Sequence, residues 1–108
     1  MELPPSIEKR VKRKGGAPGL AGAIPGRAEL ERQAGLHKAL SDPARLGILA
    51  LLSRQPLCPC VMKEAVDLPD SRLSYHLSVL RDAGLIEGRQ EGNWIVYQVT
   101  KEGRGLAP

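Results

Sequence analysis

Leu68-Pro69-Asp70-Ser71-Arg72-Leu73-Ser74-Tyr75-His76-Leu77-Ser78-Val79-Leu80-Arg81-Asp82-Ala83-Gly84 is the stretch whose reading decides the fold. Pro69 ends whatever precedes it, because the residue before a proline disfavours helical geometry. Asp70 or Ser71 can then cap a new helix. Leu73, Leu77 and Leu80 recur at i, i+4 and i+7, so they share one face of a helix running to about Ala83. Gly84 stands where a C-terminal cap needs positive φ. The opposite face carries Ser71, Tyr75, Ser78 and Asp82, flanked by Arg72 and Ser74.

Upstream, a short helix is predicted from Pro59 to Val66, and Gln55-Pro56 breaks the one before it. That earlier helix runs from Pro43 to about Ser53, with Asp42 as its cap and Pro43 at its first position. Leu46, Ile48, Leu49, Leu51 and Leu52 make it apolar nearly all round, the mark of a central core helix. A first helix is expected from about Ala28 to Leu40, with Leu30, Ala34, His37 and Leu40 on one side. Downstream, Leu85-Ile86 and Trp94–Val99 read as strands of a hairpin around Glu91-Gly92-Asn93. Thr100–Pro108 holds Gly103, Gly105 and Pro108, which leaves room only for a short, weak helix.

The order is short helix, tight turn, amphipathic helix, hairpin. The fold class is therefore α+β, mainly α: a winged helix-turn-helix of four to five helices and a two-stranded β-hairpin wing. In that geometry the second helix of the pair enters the DNA major groove and the hairpin follows the neighbouring backbone. Hydroxyls and guanidinium groups reach base edges and phosphates. The candidate DNA-binding residues are thus Ser71, Arg72, Ser74, Tyr75 and Ser78, with Arg89 on the wing. An ordinary solvated helix face would show the same pattern, so from this face alone both readings stand.

Of the 108 residues, residues 1–26 carry five Lys/Arg and two acids, and residues 27–108 carry eleven and ten. Most of the net charge of +4 thus lies outside the part expected to fold. Residues 1–26 combine four prolines and five glycines with the cluster Lys9-Arg10-Val11-Lys12-Arg13-Lys14. They are expected to form a disordered basic tail, with 27–108 as the winged helix-turn-helix domain. Only Tyr75, Trp94 and Tyr97 are aromatic, so the core must be aliphatic. Met1–Pro5 leads into charges rather than an apolar leader, and no apolar run is long enough to span a bilayer. Cys58 and Cys60 lie too close together for a secreted disulfide framework. These features place the protein in the cytoplasm, away from membranes.

Four stretches carry a resemblance. Leu40-Ser41-Asp42-Pro43-Ala44-Arg45-Leu46 is similar to the "LSDPTRL" stretch of the ArsR/SmtB family of metal-responsive repressors. Leu57-Cys58-Pro59-Cys60 resembles the family's "LCVC" metal motif. Ser74-Tyr75-His76-Leu77 through Leu85 resembles "SRHLKLLREAGL" of its recognition helix, and Glu91-Gly92-Asn93-Trp94 its wing. The match runs without gaps from about Leu36 to Val99. It implies a homodimeric transcriptional repressor bound to a double-stranded DNA operator and released when a soft metal or metalloid, such as arsenite, binds Cys58 and Cys60. The chain departs from the family pattern at Pro59, at Val61 in place of an aspartate, at Lys63 where some arsenic sensors have a cysteine, and at Asn93 in the wing.

Pro59 suits a first helical turn and holds Cys58 extended just before it, which frees its thiol to swing towards Cys60. Thiolates there would select soft ions. No permanent cofactor is expected. His76 shares the leucine face of its helix and is read as a structural, hydrogen-bonded histidine. His37 is read as a core or dimer residue. No helix pairs His with Asp or Glu at zinc-site spacing, which disfavours a zinc sensor. Three alternatives stay open: a redox or sulfur-species sensor using the same cysteines, a DNA-binding module without an effector, and a thiol-disulfide enzyme. The last is disfavoured, since the motif is C-x-C with no thioredoxin-like βαβ pattern; the protein is read as not an enzyme.

Overall fold

A computed structural model describes residues 2–108. In chain order its elements are α1 (Pro5–Arg13), α2 (Gly16–Ala21), α3 (Arg27–Ala39), α4 (Pro43–Leu52), α5 (Pro59–Val66), α6 (Asp70–Asp82), β1 (Ile86–Glu91), β2 (Trp94–Val99) and α7 (Lys101–Leu106). The chain divides into two compact units, one up to Arg32 and one from Gln33 to Pro108. No helix among the described residues is long and apolar enough to cross a membrane.

In the first unit, the segment expected to be disordered is helical over α1 and α2, and neither helix buries a residue. Helix α1 draws on local terms: Pro5 at its start, Glu8 in its first turn, and a Glu8–Lys12 pair at 3.1 Å. Local preferences thus form α1 without any tertiary burial.

The second unit is built around α4. Asp42 caps it, its Oδ1 accepting from the N–H groups of Ala44 at 2.8 Å and Arg45 at 3.4 Å. Desolvation pushes the Asp42 pKa up. The two backbone hydrogen bonds and the nearby Arg45 charge outweigh it and leave the carboxyl below its ordinary value. Ile48, Leu49 and Leu52 are buried and meet Met62 of α5, the leucines Leu73, Leu77 and Leu80 of α6, and Leu85, Ile86, Tyr97 and Val99. The core is aliphatic apart from Tyr97. Helix α3 contributes Leu36 and Ala39, whereas Leu30, Ala34 and His37 are exposed. Its buried stripe is therefore offset from the expected one, and His37 is not a core residue.

Helix α6 begins at Asp70 with Pro69 as its N-cap and no side-chain cap. The expected cap by Asp70 or Ser71 does not form. Instead the Asp70 carboxylate lies 3.1 Å from Lys63 Nζ, tying α5 to α6. At the other end Gly84 takes φ +77°, and its N–H donates to Arg81 O while Leu85 N–H donates to Leu80 O. This 5→2, 6→1 pair is a Schellman cap. It consumes Leu85, so β1 starts one residue later and runs further than expected. The strands pair antiparallel from Ile86↔Val99 to Glu91↔Trp94, and Gly92 at φ +62° turns the hairpin. Leu57 adds a bridge to the free edge of β2, exchanging two hydrogen bonds with Tyr97 at 2.9 and 3.1 Å.

The weak C-terminal helix is real and closely packed. Thr100 caps α7, accepting from Gly103 N–H at 3.1 Å and donating to Gly84 O at 2.7 Å. Gly103 is buried, and a Cβ there would lie 2.0 Å from Leu85 O. The glycine that lowers helix propensity is the residue that lets α7 approach the start of the hairpin.

Candidate nucleic-acid interface and thiol site

Helix α6 keeps its leucines in the core and turns the other face outward. Ser71, Arg72, Ser74 and Tyr75 are exposed, Tyr75 by 62%. Ser78 is half-buried, because it lies nearer the flank that Leu77 draws inward. Arg89 is exposed on β1 and its nearest acid is Glu91, at 3.8 Å. The five α6 candidates thus lie along one helix, with Arg89 on a separate, wing element.

Beside this apolar packing, a polar contact also ties α6 to its neighbours. His76 is only 9% exposed, and its Nδ1 accepts from Arg45 Nη1 at 3.0 Å. The same guanidinium donates through Nε to Ala39 O, at the last residue of α3. One arginine of α4 therefore joins the end of α3, whose final carbonyls lack helical partners, to the middle of α6. The expectation of a structural, hydrogen-bonded His76 agrees with this. Its partner, 31 residues away, was not legible. The nearest signal was Arg45 itself, a charged residue inside an otherwise apolar helix.

Cys58 is the N-cap of α5, with extended φ −84° and ψ 158°, and Pro59 is the first residue of the helix. This is the local geometry expected from the proline. The chemical state differs: Cys58 and Cys60 are joined by a disulfide, and neither is a free thiol. In that state they are no soft-ion ligands, since thiolate is the ligating form. The reason is the one foreseen for a shared ion. Extended backbone at Cys58 aims both sulfurs at one point, and there they bond. Among the described residues, no group of three or more His, Cys, Asp or Glu converges as a metal centre requires. Lys63, at the position of a third family cysteine, is engaged with Asp70 instead.

The cysteines face the wing rather than the recognition helix. A cleft of about 500 Å³ has Cys58 and Cys60 on one side and Arg89, Glu91 and Trp94 of the hairpin on the other. The Leu57–Tyr97 bridge, one residue before Cys58, closes this arrangement. Sequence reasoning missed Trp94 and Glu91 as neighbours of the thiols, because no local pattern reports which face of a hairpin a distant loop will pair with.

Comparison with known proteins places these features in context. Residues 42–87 match the model of a family described as bacterial regulatory protein, arsR family. An uncharacterized HTH-type transcriptional regulator of Methanocaldococcus jannaschii is 36% identical over 73 residues, covering 67% of this chain and 82% of that protein. The arsenical resistance operon repressor of Escherichia coli is 41% identical over 66 residues, 60% of this chain and 56% of the repressor. The chain thus spans little more than half the length of that relative. Among solved structures, a homodimeric winged helix-turn-helix DNA-binding domain from Mycobacterium bovis superposes with a TM-score of 0.69 at 30% identity, covering 73% of this chain and 74% of that one.

Proposed function

The chain belongs to the arsR family of bacterial regulatory proteins, and from that premise we propose that it is a homodimeric repressor whose operator affinity is set by the state of Cys58 and Cys60. As a winged helix-turn-helix member of this family it is a DNA-binding transcriptional regulator and not an enzyme. The exposed face of α6 reads the major groove through Arg72 and Tyr75, with Ser71, Ser74 and Ser78 on phosphates or base edges. Arg89 contacts the backbone from the wing. A two-fold dimer calls for a pseudo-palindromic operator with half-sites about one helical turn apart.

In the reduced protein, two thiolates at the start of α5 form a soft-ligand pair suited to arsenite, antimonite, cadmium or lead. The kinship with an arsenical resistance operon repressor favours arsenite. Arsenite takes three sulfurs, so the third donor is an external thiol, a dimer-mate cysteine or an oxygen. The observation that carries the proposal is the position of the pair. It caps α5, the first helix of the helix-turn-helix, and adjoins Leu57, which is hydrogen-bonded into the wing. Ligand binding there acts on the wing through Leu57 and reaches α6 only through α5, which Lys63 ties to Asp70. A coupling of about 1–3 kcal/mol corresponds to a several-fold to over hundredfold fall in affinity.

The disulfide favours a second reading on the same residues: oxidation itself, rather than a metalloid, switches the protein. One titration separates the two. Operator affinity is measured for the reduced protein, for the reduced protein with arsenite or cadmium, and for the oxidised protein, alongside Cys58→Ser/Cys60→Ser. Release by arsenite or cadmium from reduced protein supports metalloid sensing; release only on oxidation supports the redox reading. If no treatment lowers affinity, the cysteines are not an effector site and only the DNA-binding assignment stands.

A further inference from the structure

The cleft between the cysteines and the wing brings together an electrophilic disulfide, a cation and an aromatic surface. Trp94 is 61% exposed although it is a large apolar side chain. Arg89 and Glu91 are only loosely paired, at 3.8 Å. The volume of about 500 Å³ falls in the range of small-molecule sites. We propose that this cleft binds a low-molecular-weight thiol bearing a carboxylate, which Arg89 anchors and which exchanges with the Cys58–Cys60 disulfide to leave a mixed disulfide on Cys60. The inference builds on the assignment of Cys58 and Cys60 as the effector pair and names the chemistry that reaches them.

The direction of exchange follows from the two environments. Cys60 is exposed and Cys58 is half-buried, so the incoming thiolate attacks Cys60 Sγ. A new sulfur–sulfur bond forms, the Cys58–Cys60 bond breaks, and its electron pair leaves on Cys58 Sγ. The thiol is oxidised into the mixed disulfide, and Cys58 is reduced to thiolate. Cys58 caps α5, where the helix N-terminus favours negative charge, and a better-stabilised thiolate leaves faster. The guanidinium of Arg89 holds the carboxylate of the thiol, Glu91 suits an ammonium on the same molecule, and the indole of Trp94 covers its carbon skeleton.

The test uses glutathione and its diethyl ester, which share one thiol and differ in their carboxylates. The full, oxidised chain is mixed with each, quenched with acid, and followed by intact mass and peptide mapping, with rates expressed per thiolate. Glutathione is expected to react up to about fivefold faster than the ester, the factor that one solvent-exposed ion pair supplies. One adduct per chain should map to Cys60. Arg89→Gln should abolish the preference and Arg89→Glu should reverse it. Equal rates for acid and ester, a preference that survives Arg89→Gln, or an adduct on Cys58 would overturn the proposal. These readouts contain no DNA. A failure here, beside a normal operator response of the native protein against Cys58→Ser/Cys60→Ser, would remove the thiol site and leave the regulatory function standing.

Discussion

Replacing His76 with leucine tests whether the polar contact inside the packing holds the recognition helix. The substitution keeps an apolar body of similar size among Leu73, Leu77 and Leu80, so the cavity contribution is small. What is lost is the acceptor for Arg45 Nη1, 3.0 Å away in a half-buried position. A charged donor deprived of its partner in such a place costs about 1–3 kcal/mol. For a domain of this size each kcal/mol lowers Tm by about 4–8 °C. The fall should therefore lie between about 4 and 24 °C, read by circular dichroism at one fixed protomer concentration, since the Tm of the proposed dimer would depend on concentration. His76→Asn can place an amide oxygen near the Nδ1 position and should recover part of the loss. Operator affinity should fall with His76→Leu, because α6 loses its tie through Arg45 to the end of α3. A Tm equal to or above the native value would refute the reasoning, and would mean that Arg45 is as well placed in water as against His76.

Arg72→Ala and Tyr75→Ala should each weaken operator binding by about 1–3 kcal/mol if the side chain reaches a base; full sequence-specific binding by the double variant in a mobility-shift titration would remove α6 as the reading element. Deleting residues 1–26 takes away five Lys/Arg and should flatten the dependence of log K on log salt by up to about 0.9 per lost phosphate contact. An unchanged slope would show that α1 is simply a solvated helix. Asp42, with its pKa lowered in the folded protein, contributes stability that is complete above the unfolded value of about 3.9 and is lost as pH falls through the lower folded value. Asp42→Asn retains a capping oxygen but cannot titrate. Its urea midpoint should lie below that of the native protein near neutrality and fall less steeply below about pH 4, so that the two converge in acid; parallel acid limbs would contradict the cap as the cause.

Several elements were legible because their causes are local. Pro43 after Asp42, Pro59 after Cys58, Leu73/Leu77/Leu80 and Gly84 each act within a few residues. They mark the ends of α4, α5 and α6 with little error. The exposed face of α6 followed by elimination once its leucines were assigned. Helix α1 is not legible even though its terms are also local, because the glycines and prolines around it mask the Glu8–Lys12 spacing. The offset of α3 was missed for a different reason: Leu30, Ala34, His37 and Leu40 satisfy a helical period as well as Leu36 and Ala39 do. Only the neighbours available to bury a face choose between them.

By itself, the sequence determined the order of elements from α3 to α7, the aliphatic core, the outward face of α6 and the extended backbone that brings Cys58 to Cys60. All of these arise from backbone sterics and side-chain periodicity over short spans. Tertiary structure alone decided that Arg45 would meet His76, that Gly103 would lie against Leu85, and that Leu57 would pair with Tyr97 and set the cysteines beneath Trp94 and Arg89. Each of these pairings joins residues far apart in the chain. Which of many chemically adequate partners is met depends on how the helices and the hairpin pack, and no local preference encodes it.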